Sequence, residues 1–148
     1  MFGCMFPGNS IVLGEFFAAR ESEIDDELLE APYERLQTVE AKGLTDVNLA
    51  RLGEILELGT YDDLVDQFPL TGPADNDEVG LFRLPRDFRD ALAGLVDVGS
   101  AADRWVVTDE LRRDEWQFED GERVLREVSA LARRARDEQR ELWYWWSL

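Results

Sequence analysis

The sequence has 148 residues, a single cysteine, no histidine, and 33 acids against 16 bases, for a formal net charge of −17. At this length folding buries about 68–70% of the surface that the unfolded chain exposes, so neither a metal nor a disulfide is needed for stability. Without histidine, Ser-His-Asp, Cys-His and zinc-histidine chemistries are excluded, and Cys4 alone can form neither an internal bridge nor a zinc site.

The first twenty residues, MFGCMFPGNSIVLGEFFAAR, lack a basic start, are interrupted by Pro7 and Gly8, and reach Glu15 early, so they read as folded structure rather than a signal peptide. Cys4 reads as buried packing rather than a nucleophile. Further on, SIVLGEFFA and ERLQTVEAK each fit a strand or a helix, whereas ESEIDDELLE spaces Ile24, Leu28 and Leu29 for one helical face. Thr45 opens a helix with Leu49, Leu52, Ile55 and Leu56 on one side, closed by Gly59. Thr60 caps a shorter helix holding Leu64 and Phe68, stopped at Pro69, and the loop TGPADNDE follows.

GLFRL at 80–84 reads as a strand ending at Pro85, which fits the first turn of a helix to about Val96 with Phe88, Ala91, Leu92 and Leu95 inward. Ser100 is expected to cap the next helix, whose pattern continues through Trp105 and Thr108 to Leu111. Trp116 and Phe118 occupy the connection that follows and are expected to pack onto the long helix. That helix, expected over 120–138, carries Val124, Leu125, Val128, Leu131, Ala132 and Ala135 in one stripe, with Asp120 as its cap. The closing ELWYWWSL is too aromatic to stand in water. It predicts a buried terminal strand beside GLFRL, with Leu142, Tyr144 and Trp146 on one face and Trp143 and Trp145 on the other. The fold class expected is α+β, mainly α: a single acidic domain over residues 1–148, a helical array with a small sheet that includes the C-terminal strand.

No apolar run approaches the roughly 20 residues of a membrane helix, and nothing calls for an oxidising compartment, so a cytoplasmic location is expected. Charge of this size repels phosphate backbones and anionic membranes, which excludes direct nucleic-acid binding. Fifteen of the sixteen bases are arginine and Lys42 is the sole lysine, a skew that a high-GC or salt-adapted source would also produce. No phosphate-cradling glycine spacing is present. Asp75, Asn76, Asp77, Glu78, Val79 and Gly80 resemble the opening of a calcium loop, but Val79 takes a ligand position and Arg86 stands where the closing glutamate belongs. No metal, cofactor or catalytic residue is assigned.

One stretch stands out: between Glu54 and Glu78 the chain places Glu54, Glu57, Asp62, Asp63, Asp66, Asp75, Asp77 and Glu78 with no Lys or Arg. A one-sided acidic field steers a basic partner. The function expected is therefore that of a binding module, a monomer or homodimer, which neutralises or masks a basic protein as an immunity-protein-like inhibitor masks a cationic toxin or nuclease. Two alternatives remain: an enzyme, carboxylate-based or metal-dependent, whose site the sequence does not reveal, and a housekeeping or structural subunit whose acids keep it hydrated at high salt.

Overall fold

The computed structural model describes residues 13–68, 70–71 and 78–148. Cys4, Pro69, Asp75, Asn76 and Asp77, and the readings placed on them, lie outside these residues. The described chain is α+β and mainly helical. Five antiparallel strands lie in the order β2, β1, β5, β4, β3, where β1 is Leu13–Ala19, β2 Thr38–Glu40, β3 Leu70–Thr71, β4 Val79–Leu84 and β5 Glu141–Ser147. The helices are α1 (Asp26–Glu30), α2 (Asp46–Ile55), α3 (Tyr61–Val65), α4 (Arg86–Ala93), α5 (Val98–Val106), α6 (Asp109–Arg113) and α7 (Phe118–Asp137).

The aromatic tail sits at the centre of the sheet because both of its faces are apolar, and only a central strand can bury both. β5 pairs with β1 and with β4, so Phe16, Tyr144 and Phe82 stand in register across three strands on one face. That face forms the main core with Leu142, with the inward sides of α2, α4 and α5, and with the stripe of α7. The opposite face carries Phe17, Leu81, Trp143 and Trp145, covered by Leu28 and Leu29 of α1. Each buried indole keeps its N–H satisfied: Trp143 donates to the Ala19 carbonyl at 2.8 Å and Trp145 to that of Leu29 at 2.7 Å.

The alternating faces of the tail and its pairing with GLFRL are as the sequence predicts. Several ends differ. Asp120 is not the cap of α7 but its third residue; its carboxylate accepts from the Gln117 N–H at 2.8 Å, which makes Gln117 the cap. Likewise Asp97, not Ser100, caps α5, accepting from the Ser100 N–H at 3.0 Å. Asp97→Ala should therefore cost about 1 kcal/mol and Ser100→Ala much less, as read from urea midpoints; the reverse order would restore the Ser100 cap.

Helix α4 stops at Ala93 rather than near Val96, with Gly94 at its end, and Val96 is exposed. The pattern through Thr108 is broken at Val107, and Thr108 starts the separate helix α6. ESEIDDELLE is a 3₁₀ turn (Glu21–Glu23) followed by α1, because Asp25 takes an extended backbone and caps the helix through the Leu28 N–H at 2.7 Å. Phe118 is 41% exposed at the first position of α7, while Trp116 packs against Trp105 with ring centroids 5.5 Å apart. Among the described residues no helix is long and apolar enough to cross a membrane.

Candidate functional site

Helices α2 and α3 form a short hairpin that carries most of the described acids of the Glu54–Glu78 stretch. Gly59 does not close α2. Glu57 takes the left-handed conformation instead, with φ of 62°, and the Leu58 N–H reaches back to the Gly53 carbonyl at 3.0 Å, an end that glycine usually occupies. Gly53 lets the hairpin close: a Cβ there would meet Leu64 Cδ1 at 2.8 Å. Thr60 caps α3 as expected, accepting from the Asp63 N–H at 3.3 Å.

The hairpin gathers Glu54, Glu57, Asp62, Asp63 and Asp66 within thirteen residues of chain. Glu54 is committed internally: one oxygen lies 3.2 Å from Arg51 Nη1 and the other accepts from the Tyr61 N–H at 3.0 Å. Glu57, Asp62, Asp63 and Asp66 are exposed, and their carboxylates have no ion-pair partner among the described residues. Asp62 and Asp63 lie in the first turn of α3, where the positive end of the helix favours them. Arg104 approaches the hairpin, but it donates to the Ile55 carbonyl at 2.7 Å rather than to a carboxylate. Glu78 stands apart from the hairpin in sequence and fold, at the start of β4, with its carbonyl accepting from the Leu148 N–H at 2.8 Å. Asp75 and Asp77 lie outside the described residues.

Next to the hairpin an open cleft of about 1040 Å³ runs between the β2–α2 connection, α6 and the start of α7, and Tyr61 of α3 lines it. Its wall includes Asn48, Glu110, Glu115 and Trp116, none of which the sequence marks for binding; Trp116 is expected there only to pack. The missed signal lies in spacing across helices: only the contact of α2 with α6 brings Asn48 and Glu110 to one cleft.

Elsewhere, Glu15 is 5% exposed on β1, in register with Glu40 of β2, and its Oε1 has no hydrogen-bond partner. Burial first, then the charge of Glu40, raises its pKa above the usual carboxylate value, against a hydrogen bond from Thr38. A carboxyl raised in the fold contributes stability that is complete below the unfolded value of about 4.3 and is lost as pH rises through the folded value. Glu15→Gln should therefore raise Tm at pH 7, with the gain vanishing below about pH 4. A lower Tm for the variant at pH 7 would show instead that the fold uses the charged form. Glu15 lines neither the large cleft nor the small cavity of about 180 Å³ beside Leu36 and Leu131.

Among the described residues no group of three His, Cys, Asp or Glu side chains is placed to hold a metal ion. Comparison with protein-family models, with curated proteins and with solved structures finds no match to this chain.

Proposed function

We propose that this chain binds a basic protein in the cytoplasm through the acidic face of the α2–α3 hairpin, and neutralises or masks it as an immunity-protein-like inhibitor masks a cationic toxin or nuclease. The observation that carries the reading is the set of exposed carboxylates on Glu57, Asp62, Asp63 and Asp66 without ion-pair partners. Elsewhere some acids meet arginines, as in Arg35–Asp25 at 3.2 Å, Arg86–Glu141 at 3.1 Å and Arg140–Glu23 at 3.2 Å, while others such as Glu30, Asp103 and Glu119 stand exposed singly; the hairpin gathers four such acids within ten residues. Glu57 adds to this, because a carboxylate occupies a left-handed position that costs a side chain roughly 1–2 kcal/mol relative to glycine. Such a patch raises the rate at which a cationic surface arrives, towards 10⁸–10⁹ M⁻¹s⁻¹ as an order of magnitude.

The test is capture of partners from lysate of the source cell at low salt, followed by a high-salt wash. A parallel sample carries Asp62, Asp63, Asp66, Asp75 and Asp77 changed to Asn. A specific basic protein held by the native chain, released by salt and lost with the variant, is the expected result. Equal capture by the two proteins would contradict the reading and favour charge that serves hydration.

A carboxylate-enzyme reading keeps one supporting observation, the buried Glu15 with its raised pKa beside Glu40. It would place the chemistry on the opposite sheet face from the α2 and α4 core.

A further inference from the structure

The acidic hairpin borders the large cleft through Tyr61, and we propose that this cleft receives an extended, arginine-bearing segment of the basic partner, with a guanidinium seated at Trp116 between the carboxylates of Glu110 and Glu115. This rests on the binding reading above and gives it a location and a side-chain chemistry.

Two buried polar atoms point to a ligand. Asn48, 2% exposed, lines the cleft, and its Nδ2 has no hydrogen-bond partner. Its Oδ1 is fixed by the Thr45 N–H at 2.9 Å and the Thr45 hydroxyl at 3.2 Å, so the unpartnered group is the amide donor. Glu110 Oε1 is also buried without a hydrogen bond; its nearest charge is Arg51 Nε at 3.5 Å. Each unmade buried hydrogen bond costs about 1–3 kcal/mol. A peptide carbonyl satisfies the Asn48 amide, and a guanidinium N–H satisfies Glu110.

Charge and size select the same occupant. The cleft wall carries five carboxylates (Glu40, Glu110, Asp114, Glu115, Asp120) against three cations (Lys42, Arg113, Arg123). Arg123 is already committed to Glu127 at 3.6 Å and to the Glu40 carbonyl at 2.9 Å, and among the acids Asp120 accepts from the Gln117 N–H and Glu110 meets Arg51, which leaves Glu40, Asp114 and Glu115 facing Lys42 and Arg113. At about 1040 Å³ the cleft exceeds what one side chain fills, and it lies at the top of the roughly 300–1,000 Å³ range of ligand pockets. A few residues of extended chain match it.

The protein itself displays the chemistry at the cleft edge. Arg51 lies over the Tyr61 ring, 4.1 Å from its centroid, with Glu54 at 3.2 Å and Glu110 at 3.5 Å. A guanidinium held by an aromatic face and two carboxylates gains from both its flat cationic face and its fork of donors. Trp116 and Glu115 line the same cleft as Glu110, an aromatic ring and a carboxylate beside the Arg51 site.

The test is titration of the nitrogen-15-labelled chain, at low salt, with a blocked Arg-Gly-Arg-Gly-Arg-Gly peptide and with its lysine counterpart. The Trp116 indole N–H and the Asn48 side-chain amide should shift, while the indoles of Trp143 and Trp145, bonded on the far sheet face, stay in place. Glu110→Gln with Glu115→Gln should weaken the arginine peptide by at least about tenfold, since both charge-assisted contacts are lost, with amide dispersion unchanged. Asp62→Asn with Asp63→Asn should weaken it less. Shifts confined to the hairpin would overturn the cleft and leave the hairpin reading standing, and equal affinity for the lysine peptide would overturn the guanidinium assignment. No shift at all would also overturn the cleft, while the capture experiment decides the hairpin independently.

Discussion

Trp105→Ala is expected to lower the unfolding free energy by about 3–5 kcal/mol, a large share of the roughly 5–15 kcal/mol that holds a domain folded. The indole is fully buried in α5, its N–H donates to the Asn48 carbonyl at 3.1 Å, and Trp116 meets it nearly edge-on at 66°. Truncation removes the apolar surface, opens a cavity between α2, α5 and α6, and removes the indole's hydrogen bond to the Asn48 carbonyl. Because Asn48 and Trp116 both line the large cleft, the same variant should lose its affinity for the arginine peptide even where it remains folded. Urea unfolding followed by circular dichroism checks the first effect; a loss below about 1 kcal/mol would mean that Trp105 is not the post around which these helices close.

Gly14→Ala should cost about 3 kcal/mol for a different reason, overpacking against a rigid neighbour. A Cβ at Gly14 would lie 2.0 Å from Tyr144 Oη and 2.8 Å from the Ala41 carbonyl oxygen. The hydroxyl has nowhere to move, since it donates to the Ala41 carbonyl at 2.6 Å and accepts from the Leu44 N–H at 3.1 Å. Burial holds that phenol protonated well above its ordinary range. Tyr144→Phe alone removes the two hydrogen bonds without a clash and should cost about 1–3 kcal/mol. In the double variant the hydroxyl is gone, so the combined loss should fall short of the sum of the two single losses. Strict additivity would show that the contact between Gly14 and Tyr144 does not set the spacing of β1 and β5.

The elements that the sequence reveals are those whose signal is carried by side-chain periodicity. The stripe of α7 and the alternation from Leu142 to Trp146 each require one burial pattern, and each is found in the fold. Helix ends are less legible because the expected residues are displaced by others with equivalent chemistry. Gln117 and Asp97 cap where Asp120 and Ser100 were expected, each three residues earlier, since the cap and the third helical residue exchange bonds and look alike in sequence. The end of α2 is hidden further, because Glu57 rather than Gly59 adopts the left-handed turn.

For the candidate surface, the acid-rich run is visible in the sequence, and the capped helix at Thr60 explains why Asp62 and Asp63 project from one short hairpin. What the sequence does not separate is Glu54 from the others. Its carboxylate serves Arg51 and the Tyr61 N–H, so it closes the hairpin from inside. The cleft has no linear signature, because its walls come from segments around residues 40–48, 61 and 110–123 that meet only when α2 packs on α6.

The proposed recognition of a basic protein by the hairpin can be read in the association kinetics of the captured partner. The association rate should fall steeply as salt rises from low to physiological ionic strength, and Asp62→Asn with Asp63→Asn and Asp66→Asn should lower it at low salt and flatten the salt dependence. An association rate indifferent both to salt and to these three substitutions would mean that the hairpin's charge does not recognise the partner.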